Sequence, residues 1–160
     1  MQRPPALTLG VFLSLAAAQA AHAADCSNKP GFPSHAEVTK ATGLAVDESI
    51  DMEPNCTYVS KTVPNQMRNQ IMLTRSVESR KSYDDLASTY DQGQGMCTKA
   101  TGIGDAAVVC KVPGDNIQAI AHKGDTLYMV MIAGQVGMGP DTAAKLPVQT
   151  EALLKAFVAK

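Results

Sequence analysis

Tryptophan is absent from this chain of 160 residues, which holds only three phenylalanines and four tyrosines. So few rings argue against a stacking platform for sugars or for oligonucleotide bases. Charge of one sign is lacking as well. The chain carries 14 Lys and Arg against 15 Asp and Glu, with no basic run and no Arg-rich segment, so a phosphate-backbone partner is not expected. No C-x-x-C pair occurs, which removes the usual zinc and thioredoxin-type spacings. Neither G-x-S-x-G nor H-E-x-x-H is present. After the first two dozen residues no apolar run approaches membrane-spanning length.

What is present begins with a leader. Arg3 is followed by an apolar stretch from Ala6 to Ala18, and Ala21-His22-Ala23 fits the small-x-small pattern of signal-peptide cleavage. Ala18-Gln19-Ala20 is a second candidate site. Residues 1–23 therefore read as a signal peptide and 24–160 as one mature domain without a membrane anchor, periplasmic or secreted. All four cysteines, Cys26, Cys56, Cys97 and Cys110, follow the leader, and an even count in an exported chain reads as two disulfides. Three pairings exist. Pairing sequence neighbours, Cys26 with Cys56 and Cys97 with Cys110, closes the smallest loops and is the expectation.

Ser34-His35-Ala36-Glu37 is a capping box, so a short helix should start there, turn Val38 and Ala41 inward and stop at Gly43. Asp47 to Asn55 reads as acidic and irregular. Strands are expected over Cys56–Ser60 and Asn69–Val77, with turn chemistry at Val63-Pro64-Asn65-Gln66. Tyr83, Leu86, Ala87 and Tyr90 recur on one helical face, predicting a helix from Ser82 that ends at Gly93 and Gly95, with Asp84 and Asp85 in its first turn. Three β-rich runs follow, Ala106–Val112, Asn116–His122 and Thr126–Ala133, separated by Pro113-Gly114-Asp115 and Lys123-Gly124-Asp125. A last helix over about Asp141–Val158 should bury Leu146, Leu153, Leu154 and Phe157 and be kinked or split at Pro147.

The order α-β-β-α-β-β-β-α predicts an α+β fold: an antiparallel sheet of about five strands with helices packed on one face. Thr39-Lys40-Ala41-Thr42-Gly43 recurs as Thr98-Lys99-Ala100-Thr101-Gly102, each followed by a cysteine and a Val-Pro pair, which raises an internal duplication. Through Cys56-Thr57-Tyr58, Gly102-Ile103-Gly104-Asp105-Ala106 and Lys123-Gly124-Asp125 the chain resembles small exported bacterial α+β domains of unassigned function. The resemblance implies a binding or envelope role and no particular activity.

Gly102-Ile103-Gly104-Asp105-Ala106-Ala107 matches G-x-G-x-x-A, but a dinucleotide site needs a helix after the glycines and a β-run follows here. No cofactor is expected. The mature histidines, His35 and His122, have no Ser, Cys or carboxylate at a recognisable catalytic spacing. Met129-Val130-Met131 places two thioethers on one strand face. If Gln118, Ile120 and His122 of the neighbouring strand share that face, the five residues form an adaptable apolar patch with a polar rim, suited to a partner. A core strand with methionine as filler is the rival reading. The leading expectation is a non-enzymatic binding module for an envelope protein or small ligand. The alternative is a copper-handling protein in which Met129, Met131, Met138 and His122 supply soft ligands, although core packing argues against any bound metal.

Overall fold

The computed structural model describes residues 25–60, 70–113, 116–133 and 140–160. The proposed leader, the turn at 63–66, Gly114-Asp115 of the turn expected between the first two late strands, and Met138 lie outside them. A 3-10 turn, Cys26–Asn28, opens the described chain, followed by α1 (His35–Thr42), β1 (Val46–Met52), β2 (Asn55–Ser60) and β3 (Gln70–Val77). Then come α2 (Arg80–Asp91), β4 (Cys97–Lys99), β5 (Ala106–Val112), β6 (Asn116–Lys123), β7 (Thr126–Ile132) and α3 (Pro140–Val158). The class is α+β. Seven strands form one sheet in the order β1-β2-β3-β7-β6-β5-β4, and every neighbouring pair is antiparallel.

Two strands exceed the expected five, and each was hidden for a physical reason. β1 is an edge strand with a register shift between Val46 and Glu48. The extra residue turns Val46 and Ser49, three apart, into the same buried side, which destroys the period-two signal. β4 is three residues long, and its place is fixed by Cys97 lying directly opposite Cys110 of β5.

The larger correction concerns the helices, which cover both faces of the sheet. Along β6, Ile117, Ala119 and Ala121 join the main core, which also holds Val38 of α1 and Leu146, Leu153, Leu154 and Phe157 of α3. The intervening Ile120 joins a second, smaller core with Val108, Cys110, Leu127 and Tyr83 of α2. Alternation along a strand places these two sets on opposite faces. α1 and α3 therefore share one face, and α2 lies on the other, over β5 and β6.

Local chemistry explains the helix ends. The Ser34 hydroxyl accepts from the Glu37 N–H at 3.4 Å and the Glu37 carboxylate accepts from the Ser34 N–H at 2.7 Å, the expected capping box. Gly43 closes α1 at φ 70°, and Val38 is fully buried with Ala41 packed beside the core. α2 starts two residues earlier than expected, because Ser79 caps it by accepting from the Ser82 N–H at 3.3 Å. Asp84 and Asp85 thus sit beyond the first turn and pair with Arg80 at 3.1 Å and Lys81 at 2.6 Å, so ion pairing replaces the dipole account. Gln92, at φ 49°, caps its C-terminus ahead of the two glycines. α3 buries the four expected side chains and is not split at Pro147; it stays helical over 19 residues. Burial of Leu146, Leu153, Leu154 and Phe157 holds the turn that lacks the proline N–H.

The repeated pentapeptide does not mark equivalent units. Thr39–Gly43 belongs to the end of α1, whereas Thr98–Gly102 runs from β4 into a bend. What both copies retain is a glycine with positive φ, 70° and 72°. The Gly102–Asp105 segment is a structural interlock. The Asp105 N–H donates to the His122 carbonyl at 2.7 Å, and its carboxylate accepts from the Gly124 N–H at 2.8 Å, fixing the β6–β7 turn. Gly104 has φ +57°, and a Cβ there would lie 2.5 Å from the His122 carbonyl oxygen. The strand that follows, β5, confirms the turn reading over the dinucleotide one.

Candidate functional site

The five residues of the expected patch do share one sheet face. Gln118 lies opposite Met131, Ile120 opposite Met129, and His122 opposite Leu127. Their burial corrects the idea of an open patch. Ile120 is fully buried and His122 is 4% exposed, because α2 lies over them. The His122 ring is 6.4 Å from that of Tyr83, and its Nε2 is 3.2 Å from the Glu78 carbonyl. Gln118 is buried as well. Met129 and Met131 remain half-buried, and Met129 packs against the second core. Beside them stands a residue that sequence reasoning did not connect: Met72 of β3 is directly opposite Met131 and is also half-buried. Nothing in the spacing of positions 72 and 131 signals this, since only the β3–β7 pairing brings them together.

A serine, a histidine and an aspartate do meet, on the other face. Ser49 of β1 is buried, and its Oγ is 3.1 Å from His35 Nε2 at the start of α1. The Ser49 hydroxyl donates to Asp25 Oδ1 and accepts from the Ser27 N–H at 3.2 Å. Asp25 Oδ1 also accepts from Ser27 N–H at 2.9 Å and lies 3.5 Å from His35 Nε2. The wiring decides the chemistry. A hydroxyl has one proton, and Asp25 holds it, so Nε2 is left to donate. In a serine nucleophile the proton passes to the histidine, and the carboxylate holds the other ring nitrogen. Here one ring nitrogen faces both partners. The hydrogen bonds from Ser49 and then Ser27 hold the Asp25 carboxyl below the usual carboxylate range. The cluster is a knot that ties the first described residues to β1. The Cys26–Cys56 disulfide and the bond from Tyr58 Oη to the Pro33 carbonyl, 2.5 Å, tie the same segment to β2. Burial pushes the Tyr58 hydroxyl well above its usual pKa.

A third feature is a groove of about 630 Å³ between α2 and the 99–108 segment. Arg80, Tyr83 and Asp84 form its helical wall, and Lys99, Thr101 and Asp105 stand on the other side. α2 is held there because Tyr83, 4% exposed, anchors it in the second core, where burial raises the tyrosine pKa. Arg80 stacks over the Tyr83 ring at 5.0 Å while paired to Asp84. Asp105 is engaged by the interlock, and Lys99 makes no ion pair with a described residue. Among the described residues no histidine or cysteine lines the groove.

The structure joins Cys26 to Cys56 and Cys97 to Cys110, across sequence separations of 30 and 13, and leaves no cysteine free. Both pairings are the expected ones. Two disulfides fit an oxidising extracellular space. Among the described residues no helix is long and apolar enough to cross a membrane, and no group of three or more His, Cys, Asp or Glu could hold a metal. No protein-family model, curated protein or solved structure matches the chain.

Proposed function

We infer that the chain is a non-enzymatic, extracytoplasmic binding module that uses the groove beside α2 to hold an envelope protein or a small ligand. The groove carries this reading: it brings Lys99, which makes no ion pair with a described residue, beside a stacked guanidinium, Arg80, and among the described residues no histidine or cysteine lines it. Such a surface orients polar groups and leaves them chemically unchanged. The backward wiring of Ser49 supports the same conclusion from the opposite face. In the test, Arg80→Glu and Lys99→Glu variants are compared with the parent as bait in crosslinking of the exported protein. Loss of the same crosslinked species in both variants is the expected result. Labelling of Ser49 by a fluorophosphonate, absent in Ser49→Ala, would instead make the protein an acyl- or ester-processing enzyme.

The copper reading is favoured by one observation, the three half-buried thioethers Met72, Met129 and Met131 on one sheet face. Three thioethers are a soft donor set for Cu(I). His122 is not among them, because Glu78 and Tyr83 hold its ring under α2. A Cu(I) titration in which stoichiometric binding disappears with Met72→Leu and Met131→Leu would install this reading over the first.

A further inference from the structure

We propose that the hollow around Arg75 is a binding site for a carboxylate carried on a small apolar group, separate from the groove beside α2 and independent of it. The hollow measures about 240 Å³ and lies at the end of the sheet, where Arg75 and Val77 of β3 meet the Lys29–Phe32 segment and the β1–β2 turn at Glu53-Pro54. Its cations are Lys29 and Arg75. Lys29 is already committed, to Asp51 at 3.2 Å and Glu53 at 3.5 Å. Arg75 has no carboxylate partner among the described residues, although its side chain is held in place on two sides. On one side its guanidinium lies 5.9 Å from the ring of Tyr128, the residue directly opposite it on β7. On the other it rests on Gly31, whose φ is +88°, and a Cβ at that position would collide with Arg75 Nη1.

These contacts give the guanidinium an unusual combination of order and vacancy in its hydrogen bonding. An unpaired surface arginine normally samples many rotamers, and ordering it costs binding free energy. Stacking on Tyr128 and the bare backbone of Gly31 restricts it before a ligand arrives, and a planar guanidinium offers two parallel N–H bonds to a carboxylate. The walls specify the rest of the ligand. Pro30, Phe32 and Pro54 are apolar, and Val77 is 84% exposed at the rim, one of three large hydrophobics so exposed among the described residues. The volume admits a carboxylate with a few carbons, as in a short free acid or the last residue of a polypeptide. A folded surface does not enter it.

The experiment follows the Arg75 side-chain Nε–Hε resonance of the exported protein by NMR. Three probes are titrated: butyrate, an Ala-Ala-Val tripeptide with a free C-terminus, and the same tripeptide as its C-terminal amide. Saturable shifts with butyrate or the free tripeptide, and none with the amide, are expected. Tighter binding of the tripeptide acid assigns a chain end as the source, and equal or tighter binding of butyrate assigns a free acid. Affinity should fall at least tenfold in Arg75→Gln. It should fall similarly in Val77→Asp, which keeps the arginine, changes an exposed side chain and places a negative charge on the rim. No saturable shift with either acid, binding of the amide as tight as of the acid, or unchanged affinity in both variants overturns the proposal.

Discussion

The two faces of the sheet are built from the same strands and differ in almost everything else. Beneath α1 and α3 the core is wide and continuous, and includes Phe157 packed between the rings of Phe32 at 5.3 Å and Tyr128 at 5.2 Å. Beneath α2 the core is narrow, limited to Tyr83, Val108, Cys110, Ile120 and Leu127 with half-buried neighbours. On that face the β2–β3 part of the sheet holds buried Thr57 and Thr74 beside Met72, with a bond from Thr74 to Asn55 at 2.6 Å. The first face carries the fold. The second leaves room for the groove beside α2 and for the half-buried methionines. A sheet covered unequally on its two sides separates a wide core from a narrow one.

That separation is open to direct attack, and the largest effect is expected in the wide core. Phe157→Ala should cost about 3–5 kcal/mol in denaturant melts, since a fully buried ring leaves a cavity among closely packed neighbours. A cost below that of the smaller-core variants would reverse the assignment of the stabilising face.

Next come the disulfides, one anchored on each face. Loss of Cys26–Cys56 through paired Ser substitutions should cost about 4 kcal/mol. The shorter Cys97–Cys110 loop should cost about 3 kcal/mol, because restriction of the unfolded chain grows with loop length. Equal or inverted costs in chemical denaturation would mean that native contacts, and not loop entropy, dominate.

The third comparison sits within the second face. Ile120→Ala should destabilise by about 2–3 kcal/mol, at the low end for a buried aliphatic in a small core that can relax. Met131→Ala should cost only about 1 kcal/mol, because its side chain is half-buried. A large cost at Met131 would make it a core filler and remove it from any binding surface.

The smallest effect concerns pH. The Lys160 ammonium, 2.6 Å away, and then the Ser34 N–H and hydroxyl lower the Glu37 pKa to about 2. A carboxyl depressed in the folded state stabilises above its unfolded pKa, near 4.5, and that contribution disappears as pH falls through about 2. Glu37→Gln should therefore be less stable at neutral pH, by no more than about 1 kcal/mol for so exposed a pair. The gap from the parent should close between those two pH values in melts recorded down the acid limb. A gap that stays constant would assign the effect to packing.

What the sequence determined by itself was local. The capping box at Ser34, the glycine stop at Gly43, the amphipathic face of α2 and the β5–β6–β7 run with its Lys123-Gly124-Asp125 turn depend on residues a few positions apart, and their physics acts at that range. The disulfide pairing was legible for the same reason, since near cysteines close small loops. Only the tertiary structure decided the rest. The position of α2 against the second face, the bulge that turns Val46 and Ser49 inward together, and the meetings of Met72 with Met131, of Ser49 with His35 and Asp25, and of Arg75 with Gly31 all depend on which strands pair and in what register. Strand pairing is a competition among long-range contacts, each carrying a loop-closure cost set by the whole chain. No window of the sequence contains that competition, so the candidate sites became visible only once the sheet was assembled.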